Sequence, residues 1–174
     1  SMTANPSNKN RKSDANSTNA DTMAGKICLV TGATAGIGKE TAKALAGMGA
    51  ELILHGRDRE KTRSLQEEIC AATGNLAVHY LLADYGDLAQ VRRMADTFKE
   101  KWDRLDVLVN NAGAFFNARI STDHGVEMTL LVNHLAPFLL TNLLLTPIHK
   151  APAGRIINVS SEAHRQGNMD FEDL

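Results

Sequence analysis

The chain has 174 residues, 43% of them hydrophobic, with 19 basic and 20 acidic side chains and a formal net charge of −1. That length supports one domain with its own core, and the near-neutral balance gives no reason to expect nucleic acid or an anionic membrane as a partner. No apolar stretch reaches the ~18 residues of a membrane span, and the N-terminus lacks the apolar segment of a secretory signal.

Residues 1–24 are rich in Asn, Ser, Thr and charge, with almost no large apolar side chains. Such a segment buries too little surface to offset its ordering entropy, so a disordered tail is expected there, with the folded domain over 25–174. The two cysteines, Cys28 and Cys70, fall in a predicted strand and a predicted helix. They read as free thiols in a reducing compartment, which points to the cytoplasm.

The first predicted strand runs from about Lys26 to Thr31. A glycine turn follows, then a helix to about Met48, with Gly47 and Gly49 punctuating its end. Glu51 to His55 reads as the second strand and Gly56-Arg57-Asp58 as a turn. A polar helix then runs to about Thr73, where Gly74 stops it. Leu76 to Leu82 is the third strand. Asp87 to Trp102 is a helix, with Leu88, Val91, Met94, Ala95 and Phe98 at helical spacing. Leu105 to Val109 is the fourth strand. A loop over Ala114 to Ser121 leads to a long helix, about Asp123 to Leu145, apolar over most of its circumference from Leu130 onward. Arg155 to Val159 is the fifth strand, and the residues after Ser161 are polar without a clear period.

Strands alternating with helices predict an α/β fold, a doubly wound parallel sheet of about five strands. In such a sheet ligands lie at the C-terminal strand ends. Every distinctive motif falls at one: Thr31-Gly32, Arg57, Asp84, Asn110 to Gly113, and Ser160-Ser161.

The segment Thr31-Gly32-Ala33-Thr34-Ala35-Gly36-Ile37-Gly38 sits between an apolar strand and a helix. Strand, glycine turn and helix together suit a dinucleotide pyrophosphate. Gly32 turns the chain, Gly36 lets backbone approach the phosphates, and Gly38 lets the helix lie close on the sheet. At the second strand, Gly56 stands where a carboxylate would bind the ribose hydroxyls of NAD. Arg57 follows it with a planar fork suited to the 2′-phosphate of NADP. Asp58 competes for the ribose position, but it opens a helix and reads better as its cap. NADP is therefore expected over NAD. The histidines and cysteines have no zinc-ligand spacing, so no metal is expected.

The glycine loop, Asp84 after the third strand, Asn110-Asn111-Ala112-Gly113 after the fourth, and Arg155-Ile156-Ile157-Asn158-Val159-Ser160-Ser161 at the fifth resemble the short-chain dehydrogenase/reductase family, classical type. The likeness extends from about Lys26 to Leu174. Asn158 to His164, with Asn133-His134-Leu135, is most similar to the retinol-dehydrogenase-like branch. The resemblance implies an oxidoreductase that transfers hydride between NADP(H) and a small alcohol or carbonyl substrate. It implies cofactor contacts from Gly32, Thr34, Ala35, Gly36, Ile37, Gly38, Arg57, Asp84, Tyr85, Asn111, Ala112 and Gly113, with Asp84 on the adenine amino group. It makes Ser161, rather than Ser160, the catalytic serine and Asn133 part of a proton relay through water. His164 has no required role and reads as a loop histidine. Pro137, four residues after Asn133, has no N–H to donate to its carbonyl.

The family's general acid is a tyrosine with a lysine four residues later, both after the serine. The only tyrosines here are Tyr80 and Tyr85, both before it, and neither begins Tyr-x-x-x-Lys. The chain therefore reads as truncated ahead of that pair, able to bind cofactor but not to transfer the proton. The alternative is a non-catalytic NADP-binding or interaction protein. Ile156, Ile157 and Val159 on an edge strand, with the leucines of the long helix short of cover, predict homo-oligomerisation or aggregation.

Overall fold

The structure, a computed structural model, describes residues 22–123, 125–162 and 165. Five strands, β1 (Ile27–Val30), β2 (Glu51–Gly56), β3 (Val78–Leu82), β4 (Val107–Asn110) and β5 (Arg155–Asn158), form one parallel sheet in the order β3-β2-β1-β4-β5. The helices are α1 (Gly36–Gly47), α2 (Arg59–Thr73), α3 (Leu88–Lys101), α4 (Met128–Leu130), α5 (Ala136–Leu143) and α6 (Leu145–His149), with a π-helical turn over Leu131–Leu135. This is the doubly wound sheet that the alternation of strands and helices implies.

Strand side chains alternate between the two faces, and each face carries its own core. Cys28, Val30, Leu52 and Leu54 pack with Ala42 and Ala46 of α1 and Leu65 and Ile69 of α2. Leu29, Ile53 and Leu108 pack with Val91, Met94 and Phe98 of α3 and Leu140 and Leu144 beyond. Both cysteines are free, and burial pushes the Cys28 thiol up to about 12, so it is chemically inert. Strand order reverses between β1 and β4, which opens a crevice beside the β1 turn at the C-terminal edge.

The structure departs from the sequence reading at several boundaries. Residues 1–21 of the expected tail lie outside the described residues. Met23, assigned to that tail, donates its N–H to Met48 O at 2.9 Å and packs on the α1/α2 core. The third strand begins at Val78 instead of Leu76, because Asn75 turns the chain there, donating through Nδ2 to Ala46 O and Ala50 O.

The long helix is not one helix. It starts at Met128, where the Glu127 carboxylate accepts the Leu130 N–H, after a Ser121–Glu127 bridge and the left-handed Gly125. Pro137 lacks an N–H and its ring crowds the carbonyl four residues back. The chain widens there into the π-helical turn, with Ala136 N–H on Leu131 O. A further break at Leu144 separates α5 from α6. Leu140 and Leu144 are fully buried, so the expected loss of cover falls on Phe138, 63% exposed, and on Ile156, Ile157 and Val159 of the β5 edge, 39–46% exposed.

Candidate active site

The C-terminal edge of the sheet is built around Thr31. Its hydroxyl donates to Val109 O at 3.2 Å and accepts the N–H groups of Asn111 and Ala112, each at 3.0 Å. Asn111 reaches back, Nδ2 donating to Thr31 O at 3.0 Å and to Gly32 O at 3.1 Å. The β1 turn and the end of β4 are thus latched together across the crevice, and the Asn111 amide is committed to that latch.

Gly32 has φ +62°, and Gly36, at the first turn of α1, has φ +54°. A Cβ on Gly36 would meet nothing within 4 Å, so the backbone there faces open space. Ala35 provides no side-chain cap to α1, and the first turn carries no acidic residue. Its leading N–H groups are therefore left for an outside acceptor. Ile37 stands beside them, 66% exposed, while Gly38 is buried against the Gly32 carbonyl and Asn111. Thr34 and Ala35 complete the mouth of this turn.

Arg57 is exposed directly after β2 and makes no ion pair among the described residues. Asp58 caps α2, accepting the Lys61 N–H at 3.0 Å, the role expected of it. Gly56 is fixed by packing, since a Cβ would lie closer than 3.0 Å to Thr62 Oγ1. A larger side chain there would have to displace the Thr62 hydroxyl, which donates to Asp58 O. Asp84 closes a turn, its Oδ1 accepting the Gly86 N–H at 2.8 Å.

Tyr85 departs from the expectation of a cofactor contact. Its ring is 4% exposed and stacks on His55 at 4.7 Å, and burial raises its phenol well above the usual range. Its side chain belongs to the core, and any part it takes in cofactor binding falls to its backbone.

Asn133 sits in the π-helical turn. Its Oδ1 accepts the Ala114 N–H at 2.7 Å and its Nδ2 donates to Ala114 O at 2.8 Å. It clamps the loop that leaves Asn111-Ala112-Gly113, and a Cβ on Gly113 would sit 3.3 Å from its Oδ1. The side-chain amide is occupied by this clamp. Ser161 is exposed just beyond β5. Asn110 Nδ2 donates to Asn158 Oδ1 at 2.9 Å, joining the ends of β4 and β5. His164 lies outside the described residues.

One residue of this edge, His55, was not singled out by the sequence pattern. His55 is buried at the end of β2, accepting the Gly32 N–H through Nδ1 at 3.3 Å. The signal was present: a histidine ending a strand buried on both faces must find partners for both ring nitrogens. Among the described residues no cluster of His, Cys, Asp or Glu is arranged to hold a metal, and no helix is long and apolar enough to cross a membrane.

The sequence profile described as short chain dehydrogenase matches residues 26–172. Human retinol dehydrogenase 13 is 44% identical over 153 residues, covering 88% of this chain and 46% of that protein. Human retinol dehydrogenase 11 is 44% identical over 152 residues, covering 87% and 48%. The chain thus spans about half the length of the curated relatives it matches. A short chain dehydrogenase from Escherichia coli CFT073, solved in complex with NADPH, superposes with a TM-score of 0.73 at 32% identity, over 85% of this chain and 63% of that one. With the glycine turn, the Asn111 latch and the β5 serines in their expected order along one sheet edge, the chain belongs to the short-chain dehydrogenase/reductase family of oxidoreductases, on its retinol-dehydrogenase-like branch.

Proposed function

We propose that this chain is the cofactor-binding part of an NADP(H)-dependent reductase or dehydrogenase acting on an alcohol or carbonyl substrate. The observation that carries the reading is the glycine turn opening on an uncapped helix N-terminus, on the same edge as the exposed Arg57. The N–H groups of α1 hold the pyrophosphate, Arg57 holds the 2′-phosphate, Asp84 takes the adenine amino group, and Ala112 and Gly113 line the ribose side. When bound, NADPH supplies the hydride. Ser161 hydrogen-bonds the substrate oxygen. NAD would lose the Arg57 contact and gain no carboxylate in exchange.

Titrating the chain with NADPH and NADH by nicotinamide fluorescence tests this. Arg57→Ala should weaken NADPH about tenfold or more, the worth of a charge-assisted bond, and leave NADH nearly unchanged. Equal losses for both cofactors would remove Arg57 from the 2′-phosphate.

Incubation with NADPH and a panel of carbonyls tests the chemistry, since cofactor oxidation abolished by Ser161→Ala would establish catalysis by this chain. The β5 edge and Phe138 give the chain a surface for self-association. Light scattering after size exclusion should report species larger than a monomer, and a clean monomer at micromolar concentration would count against it.

A further inference from the structure

We infer that His55 is the residue that positions the glycine turn for the dinucleotide, acting as a two-sided hydrogen-bond bracket between the turn and the end of β3. The inference rests on the reading of that turn as the pyrophosphate site.

His55 meets the turn twice. Its ring Nδ1 accepts the Gly32 N–H at 3.3 Å, and its carbonyl accepts the Ala33 N–H at 3.0 Å. On the far side Nε2 lies 3.0 Å from Ala83 O. A carbonyl only accepts, so Nε2 carries the proton and Nδ1 is left as the acceptor that Gly32 needs. The tautomer is therefore dictated by the partner on the far side. Tyr85 stacks on the ring at an interplanar angle of 18° and prevents it from swinging out. Burial holds the imidazole neutral, so the acceptor persists at neutral pH.

An apolar residue at this position would fill the space and leave the Gly32 N–H, beneath the turn, without a partner. Gly32 starts the left-handed turn that aims the N–H groups of α1 into the crevice. Its amide direction therefore sets where the phosphate-binding groups point.

Three substitutions separate this role from mere packing. In His55→Asn, Oδ1 stands near the place of Nδ1 and can accept from Gly32, but nothing reaches Ala83. In His55→Gln the amide extends toward Ala83 and does not serve Gly32. In His55→Leu both bonds are gone. NADPH affinity and hydrogen exchange at the Gly32 amide are measured on the full chain. Asn should stay within about threefold of wild type in both. Gln and Leu should bind about tenfold more weakly, the effect of one unsatisfied buried N–H, and exchange Gly32 at least tenfold faster. Equal affinity and equal Gly32 exchange in Leu and Asn would overturn the inference. If wild type binds neither NADPH nor NADH, the functional reading fails, while Gly32 exchange still tests the bracket. Should a variant not fold, imidazole nitrogen NMR of the wild-type chain decides. A protonated Nε2 with an accepting Nδ1 supports the bracket, and a protonated Nδ1 overturns it.

Discussion

Gly38→Ala should abolish cofactor binding and remove about 3 kcal/mol or more of stability. Gly38 lies in the first turn of α1 with ordinary helical backbone, so conformation alone would favour alanine, by about 1 kcal/mol. Space forbids it. A Cβ there would lie closer than 3.0 Å to the Gly32 carbonyl oxygen and to Asn111 Nδ2. The first is backbone of the turn itself. The second belongs to the latch that holds β1 to β4. Relief requires α1 to lift from the sheet, carrying its N–H groups away from the pyrophosphate position. Gly47→Ala is the control within the same helix. Its Cβ would meet only Thr73 Cγ2 at 3.9 Å, so that variant should be as stable as wild type or slightly more so. Urea unfolding and NADPH titration of both variants check the expectation. A Gly38→Ala chain that is as stable as Gly47→Ala and binds cofactor normally would contradict the packing argument.

The second large effect is acid lability. Burial pushes the His55 imidazole down from its ordinary value of 6.5 to about 4, against the opposing pull of the Ala83 carbonyl and the Asp84 charge. Between those two values the unfolded chain binds a proton that the folded chain refuses, so stability falls as pH falls. The contribution is intact above pH 6.5, declines by up to ~1.4 kcal/mol per pH unit, and is lost below about pH 4, a total of about 3 kcal/mol. That is a large share of the ~5–15 kcal/mol of an ordinary domain. Protonation also converts Nδ1 from acceptor to donor and sets it against the Gly32 N–H, so the turn should loosen before the sheet does. Urea unfolding from pH 4.5 to 7.5 on wild type and His55→Asn gives the test. The variant should lose this part of the slope while keeping whatever the carboxylates contribute. Parallel slopes in the two proteins would assign the acid sensitivity elsewhere.

Periodicity and punctuation determined the architecture from the sequence alone. Alternating strand and helix patterns, with the motifs clustered at strand ends, can be buried only in a doubly wound sheet. The same local chemistry identified Asp58 as a helix cap. Other features depended on which distant groups the fold brings together. The length of the long helix was set by Glu127, Gly125 and Pro137 acting in three dimensions, and an apolar pattern registers neither the Glu127 cap nor the left-handed turn at Gly125. Tyr85 follows Asp84 in sequence, but its side chain turns into the core and stacks on His55. Asn111 and Asn133 read as polar groups of the active crevice. In the fold their amides tie its walls together, bonding main-chain groups 19 to 80 residues away. Residue type and order decided where the glycine turn lies, between β1 and α1 at the C-terminal edge of the sheet. Long-range hydrogen bonding, which no local pattern encodes, decided which side chains remain free to meet the ligand and which hold the site in shape.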